Sequence, residues 1–160
     1  MDIEDCISRL EEVFDGQPWF GPSFLSSLKK IPVDFWNEKP KGGVHSIAEL
    51  VIHTIDWKKF VVEKLQDNET YSIEMNSDKD WRPDISIASQ EQKDEIIDQI
   101  VVLQDTICQL LEGKRDSWLY EFVLGKDYTN LYMVNGTVDH DIYHLGQINL
   151  IYSQVKNNHQ

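Results

Sequence analysis

The sequence predicts an all-α fold, a four-helix bundle built by a single domain over residues 1–160. Three observations carry this. Apolar residues recur at helical spacing in four separate segments. Two of those segments open on Ser-x-x-Glu or Ser-x-x-Gln, the pattern of an N-terminal capping box. The stretches between them concentrate Pro, Gly, Asn and Asp, which interrupt regular structure.

The first helix covers residues 2–15, with Ile3, Ile7, Leu10 and Phe14 on one face, and Gly16 ends it. Pro18 and Pro22 break any regular element before a short helical stretch at residues 23–30. Residues 31–45 read as loop, with Pro32, Pro40, Gly42 and Gly43. Ser46 opens the second long helix, where Glu49 completes a capping box, and the helix runs to about Gln66. Its apolar residues, from Ile47 through Leu50, Ile55 and Phe60 to Leu65, cover a wide arc. Residues 67–85 are polar and irregular. The third long helix spans residues 89–112 behind a second capping pattern, Ser89 to Gln92. Ile96, Ile100, Leu103, Ile107 and Leu110 form a bundle seam, and Gly113 follows as a C-cap. Residues 114–127 alternate aromatic and polar side chains around Trp118, Tyr120 and Phe122, which permits a short strand or hairpin between the third and fourth helices. The fourth helix begins at Tyr128 or Thr129 and runs to Val155. It is apolar on nearly all sides, as in a helix buried in a bundle core.

Composition removes several classes of partner. The net charge is −13 and the 15 Lys and Arg residues are scattered, so nucleic acid and anionic membrane surfaces are repelled. No apolar run approaches the ~20 residues that span a bilayer. The opening Met-Asp-Ile-Glu-Asp-Cys lacks the basic and apolar regions of a signal peptide, which predicts a cytoplasmic protein. Cys6 and Cys108 are far apart and outside any CxxC pattern, so both read as small buried thiols in a reducing compartment.

The chemistry concentrates in His140-Asp-Ile-Tyr-His144. Residues four apart share a helix face, so two imidazoles placed this way can bind one divalent metal. Met133, Gly136, His140, His144, Gln147 and Ile151 fall on one stripe, and Gly136 leaves space beside the rings. A lone helical histidine is more often a core or surface residue than a ligand. Here a third inward-facing histidine, His53, lies on the second long helix between Leu50 and Trp57. Asp56, three residues on, is placed to accept its second ring N–H. Three imidazoles suit Zn²⁺, Ni²⁺ or Fe²⁺ and leave coordination positions open. His45 reads as a loop residue and His159 as an exposed tail residue. Tyr132 and Tyr143 can bring a phenol near the site, although core packing is their commoner role. Asp141 echoes the Glu of the zincin His-Glu-x-x-His motif, but it is one carbon shorter and only His159 lies downstream as a third ligand, which argues against a protease. As a bland alternative it is a solvated or capping carboxylate.

Ser46-Ile-Ala-Glu-Leu-Val-Ile-His53, taken with His140-Asp-Ile-Tyr-His144-Leu-Gly-Gln147-Ile, resembles the DinB-like (YfiT-type) metalloprotein superfamily. Pro18-Trp-Phe-Gly-Pro-Ser is also similar to segments of its members, and the resemblance covers almost the whole chain. It implies a four-helix bundle, often a homodimer, with a metal held by one His of the second helix and two of the fourth, here His53, His140 and His144. Relatives include S-transferases that use bacillithiol or mycothiol, a maleylpyruvate isomerase and metal-dependent hydrolases. The resemblance implies no DNA binding.

The expected function is therefore that of a divalent-metal-dependent enzyme acting on a small molecule, as a thiol S-transferase or a hydrolase. A low-molecular-weight thiol would be a co-substrate, since no Cys lies near the histidines. Gln147 would orient the bound water or substrate, and Asp56 would support His53. The competing expectation is a non-catalytic bundle that keeps its metal as a staple and acts as a binding or dimerisation module.

Overall fold

In the computed structural model, which describes residues 1–82 and 84–157, five α-helices make up the regular structure: α1 (Ile3–Phe14), α2 (Phe24–Lys30), α3 (Ile47–Leu65), α4 (Gln90–Glu112) and α5 (Asn130–Asn157). The described residues hold no strand. Where a hairpin is expected, a 3₁₀ turn forms at Asp116–Tyr120, and a single antiparallel bridge joins Phe122 to Thr129. The aromatic alternation there reflects Leu119 and Val123 turning inward while Tyr120 and Phe122 face solvent.

Helix starts follow local chemistry. Ser46 and Glu49 form the reciprocal capping box: the Glu49 N–H donates to Ser46 Oγ at 3.2 Å, and the Ser46 N–H donates to Glu49 Oε2 at 2.7 Å. Asp2 and Asp5 cap α1 in the same reciprocal way. Ser89 accepts from the Gln92 N–H, but the Gln92 side chain reaches Ala88 instead, so only half the expected box forms. Gly113 is the C-cap of α4 at φ −78°, a conformation open to any residue.

Each of α1 and α3 packs against both α4 and α5. The core has two parts. One gathers Phe24, Trp36, Ile47, Leu50, Ile100, Leu145 and Ile148; the other gathers Cys6, Leu10, Phe60, Leu65, Ile107, Leu111 and Val138. α3 and α4 start in the first part and end in the second, whereas α1 and α5 run the opposite way. Between the parts lies a polar layer. It contains Lys58 of α3, Gln104 of α4 and Asp141 of α5, with His53 and His144 beside it, all buried. Contrary to expectation, α5 is not covered on all sides: Tyr132, Tyr143 and Leu150 are exposed along one face. No helix among the described residues is long and apolar enough to cross a membrane. Both cysteines are buried, and burial pushes the Cys108 thiol up to about 11.

Candidate metal centre

α3 and α5 bring the three predicted histidines together. His140 Nε2 stands 3.1 Å from His53 Nε2 and 3.0 Å from His144 Nε2. The three candidate ligand atoms all lie within 4.8 Å of one another. His140 and His144 meet because they are one turn apart on α5, and their ring centroids are 4.3 Å apart. His53 comes from the facing helix.

The opposite edges of the rings fix what the converging nitrogens offer. His53 Nδ1 lies 2.8 Å from the Asp80 carbonyl oxygen and 3.1 Å from Asp80 Oδ1. Both are acceptors, so Nδ1 carries the proton and Nε2 keeps its lone pair. His144 Nδ1 lies 2.6 Å from Gln147 Oε1 and is likewise the donor. Burial lowers the pKa of His140 to about 3, with the neighbouring His144 and His53 adding to the effect. Burial also lowers His144 to about 4. At neutral pH these two rings are uncharged. A proton on His140 Nε2 could bridge to only one neighbour, so at least one close N···N contact pairs two lone pairs. A cation relieves that repulsion. Two nitrogens bound tetrahedrally at Zn–N distances of about 2.0–2.1 Å stand about 3.3 Å apart, close to the separations here. The donor set fits a divalent metal of the zinc, nickel or iron type.

Asp80 is the residue that sequence reasoning missed. Its carboxylate accepts from the Trp57 indole N–H at 2.9 Å and from the Asn76 backbone N–H at 2.7 Å, so it is held rigidly behind His53. The expected partner, Asp56, does not take that place. It faces Arg82, whose guanidinium grips both carboxylate oxygens, with Lys59 at 3.8 Å. Gln147 sits behind His144, where it fixes the ring tautomer, rather than on the open side of the rings. Trp81 stacks on His53 at 3.9 Å and on His45 at 3.8 Å, so the loop residue His45 completes a sandwich around the indole. Asp80 and Trp81 lie in an irregular connection, where helical periodicity gives no signal. His159 lies outside the described residues.

The three imidazoles open onto a cavity of about 540 Å³. Its walls are largely aromatic and apolar, with Trp57, Phe60, Met75 and Tyr128 among them, and Gly136 contributes no side chain. A Cβ at Gly136 would meet no atom within 4 Å, in keeping with the space expected beside the rings. Tyr132 and Tyr143 also line the cavity. They are 68% and 63% exposed, so they form its rim and not part of the core. Asp141 is neither solvated nor a cap. It is 1% exposed and accepts from Lys58 Nζ at 2.6 Å.

Comparison with known families agrees with this geometry. The family model described as the DinB superfamily matches residues 22–148, a span that contains all three histidines and Gln147. Neither the curated proteins nor the solved structures compared with the chain include a match.

Proposed function

Because the chain belongs to the DinB superfamily, we propose that it is a divalent-metal-dependent enzyme acting on a small molecule, as a thiol S-transferase or a hydrolase. The observation that carries this reading is the convergence of three imidazole nitrogens, held from behind by Asp80 and Gln147, on the wall of an aromatic cavity. Zinc, nickel or iron held by His53, His140 and His144 would supply Lewis acidity, which lowers the pKa of a water or thiol at the site.

The chain's own residues supply the rest. Asp80 and Gln147 position two of the rings. The aromatic walls bind an apolar substrate body and exclude bulk water. In the transferase form a low-molecular-weight thiol gives its proton to solvent, its sulfur bonds to the electrophilic carbon of the substrate, and the leaving group departs with the bonding electrons. In the hydrolase form the oxygen of water plays that part. The thiol comes from outside the chain, because Cys6 and Cys108 are both buried in the part of the core built around Leu10 and Ile107. A cavity beside three protein ligands favours catalysis over a purely structural metal, whose coordination shell is closed by the protein.

The test is a panel run on purified protein after elemental analysis. Bacillithiol, mycothiol and glutathione are each paired with 1-chloro-2,4-dinitrobenzene, and p-nitrophenyl acetate reports hydrolysis. The expected result is turnover that is lost on chelation, restored by one metal, and lost in His140→Ala. Rates equal to the metal-free background with every thiol and ester would overturn the enzymatic reading.

A further inference from the structure

Lys58 and Asp141 also line the cavity that holds the three histidines. Both are 1% exposed. Lys58 Nζ donates to Asp141 Oδ2 at 2.6 Å and to Gln104 Oε1 at 2.8 Å. Asp141 Oδ1 is buried and makes no hydrogen bond among the described residues. With Oδ2 held by Lys58, Oδ1 is a buried acceptor without a partner, which is unfavourable in surroundings of low dielectric. The Lys58 ammonium balances the carboxylate charge, so the free oxygen calls for a neutral O–H or N–H donor as readily as for a cation. The walls around it are aromatic and apolar.

We propose that Asp141, held by Lys58, is the polar anchor of the substrate pocket, and that it selects an aromatic or apolar small molecule carrying a hydroxyl or N–H donor. This rests on the reading of the cavity as the substrate site. The anchor binds a part of the substrate other than the reacting atom, so it sets which molecule enters, while the histidines set what happens to it. A site built to hydrogen-bond a hydroxyl rejects the analogue that lacks one, because its own buried acceptor is then left unpaired.

The matched probes are 4-propylphenol and its methyl ether, 4-propylanisole, titrated into the full chain by NMR. The Trp57 indole N–H and the Gly136 amide are the reporters. Each titration is run with zinc added and after chelation, because a hydroxyl could otherwise bind the metal. The expected result is that the phenol binds roughly tenfold or more tighter than the ether in both states. In Asp141→Asn the amide oxygen accepts from Lys58 and the NH₂ faces the cavity, so the preference falls to about twofold or less. If Asp141→Asn does not fold, the double variant Lys58→Met with Asp141→Leu removes the buried pair as a unit and should abolish the preference equally. Equal affinity for the two probes, binding of neither, or a preference that disappears on chelation would overturn the anchor. Failure of the enzymatic reading looks different: the donor preference persists while turnover with metal supplied stays at the metal-free background for every thiol and ester.

Discussion

Two buried polar clusters sit side by side where α3 meets α5, and they solve opposite problems. Lys58 and Asp141 carry opposite charges that cancel within the cluster, and the neutral Gln104 accepts a further hydrogen bond from Lys58. Burial keeps His140 and His144 uncharged, and the Nε2 atoms of all three histidines face one another. The first cluster is nearly closed by its own hydrogen bonds. The second is satisfied at the back by Asp80 and Gln147 and unsatisfied at the front. The charged pair holds itself together and leaves a single oxygen, Asp141 Oδ1, without a partner. A cluster that is rigid behind and electron-rich in front is a candidate receptor for a cation. Two other buried lysines sharpen the contrast: Lys64 donates to the carbonyls of Asn68 and Glu69, and Lys93 to those of Lys29 and Ile31. Each bonds carbonyls at or just past the C-terminal end of a helix, α3 for Lys64 and α2 for Lys93.

The largest expected effect breaks the charge-cancelling pair. Lys58→Ala strands the Asp141 carboxylate in the core and should cost about 3–5 kcal/mol of stability. Replacing both members, with Lys58→Met and Asp141→Leu, should cost far less. Urea unfolding of both variants measures the difference, and equal losses would mean that the pair is not a unit.

The histidine cluster should respond the other way. His140→Ala removes the nitrogen common to both close contacts, so it should abolish metal binding while circular dichroism still reports the same helix content. A collapse of the fold would assign the histidines to structure.

A smaller effect separates the two candidate supports of His53. Asp80→Ala should weaken metal affinity by about ten- to a hundredfold. Asp56→Ala should weaken it less, since Asp56 bonds to Arg82 and not to the ring. A competition titration with a chromogenic chelator ranks the two.

The smallest effect is on pH dependence. Burial holds His140 and His144 below the ordinary value of 6.5, at about 3 and about 4. The unfolded chain therefore binds more protons than the native chain below pH 6.5. The stability linked to these rings is whole above that pH and is lost as pH falls from 6.5 towards 3. In metal-free protein the urea midpoint should decline over that window. The decline should be shallower in a variant carrying both His140→Ala and His144→Ala.

Much of this was legible in the sequence for a physical reason. Helical periodicity located α1, α3, α4 and α5, and the i, i+4 rule placed His140 beside His144. Those are local regularities. Asp80 and Trp81 were not legible because their approach to His53 depends on how an irregular connection folds over α3, with Asn76 turning at φ +61°. The charged layer did leave a signal. Lys58 falls on the stripe of Thr54, Val61 and Leu65, Asp141 on that of Val134, Val138 and Leu145, and Gln104 on that of Ile100, Ile107 and Leu111. A polar residue on each of three seams, at positions that otherwise hold apolar side chains, marks a buried network. The exposed face of α5 was hidden because Tyr132, Tyr143 and Leu150 are themselves apolar or aromatic.

The most direct test of the central claim is X-ray absorption at the metal edge on protein reconstituted with one equivalent of zinc, compared with His53→Ala and His140→Ala. The account predicts one tightly held ion per chain, with three imidazole nitrogens at about 2.0–2.1 Å in the parent and fewer in each variant. A parent protein that retains no zinc, or one whose imidazole count is the same in both variants, would contradict it.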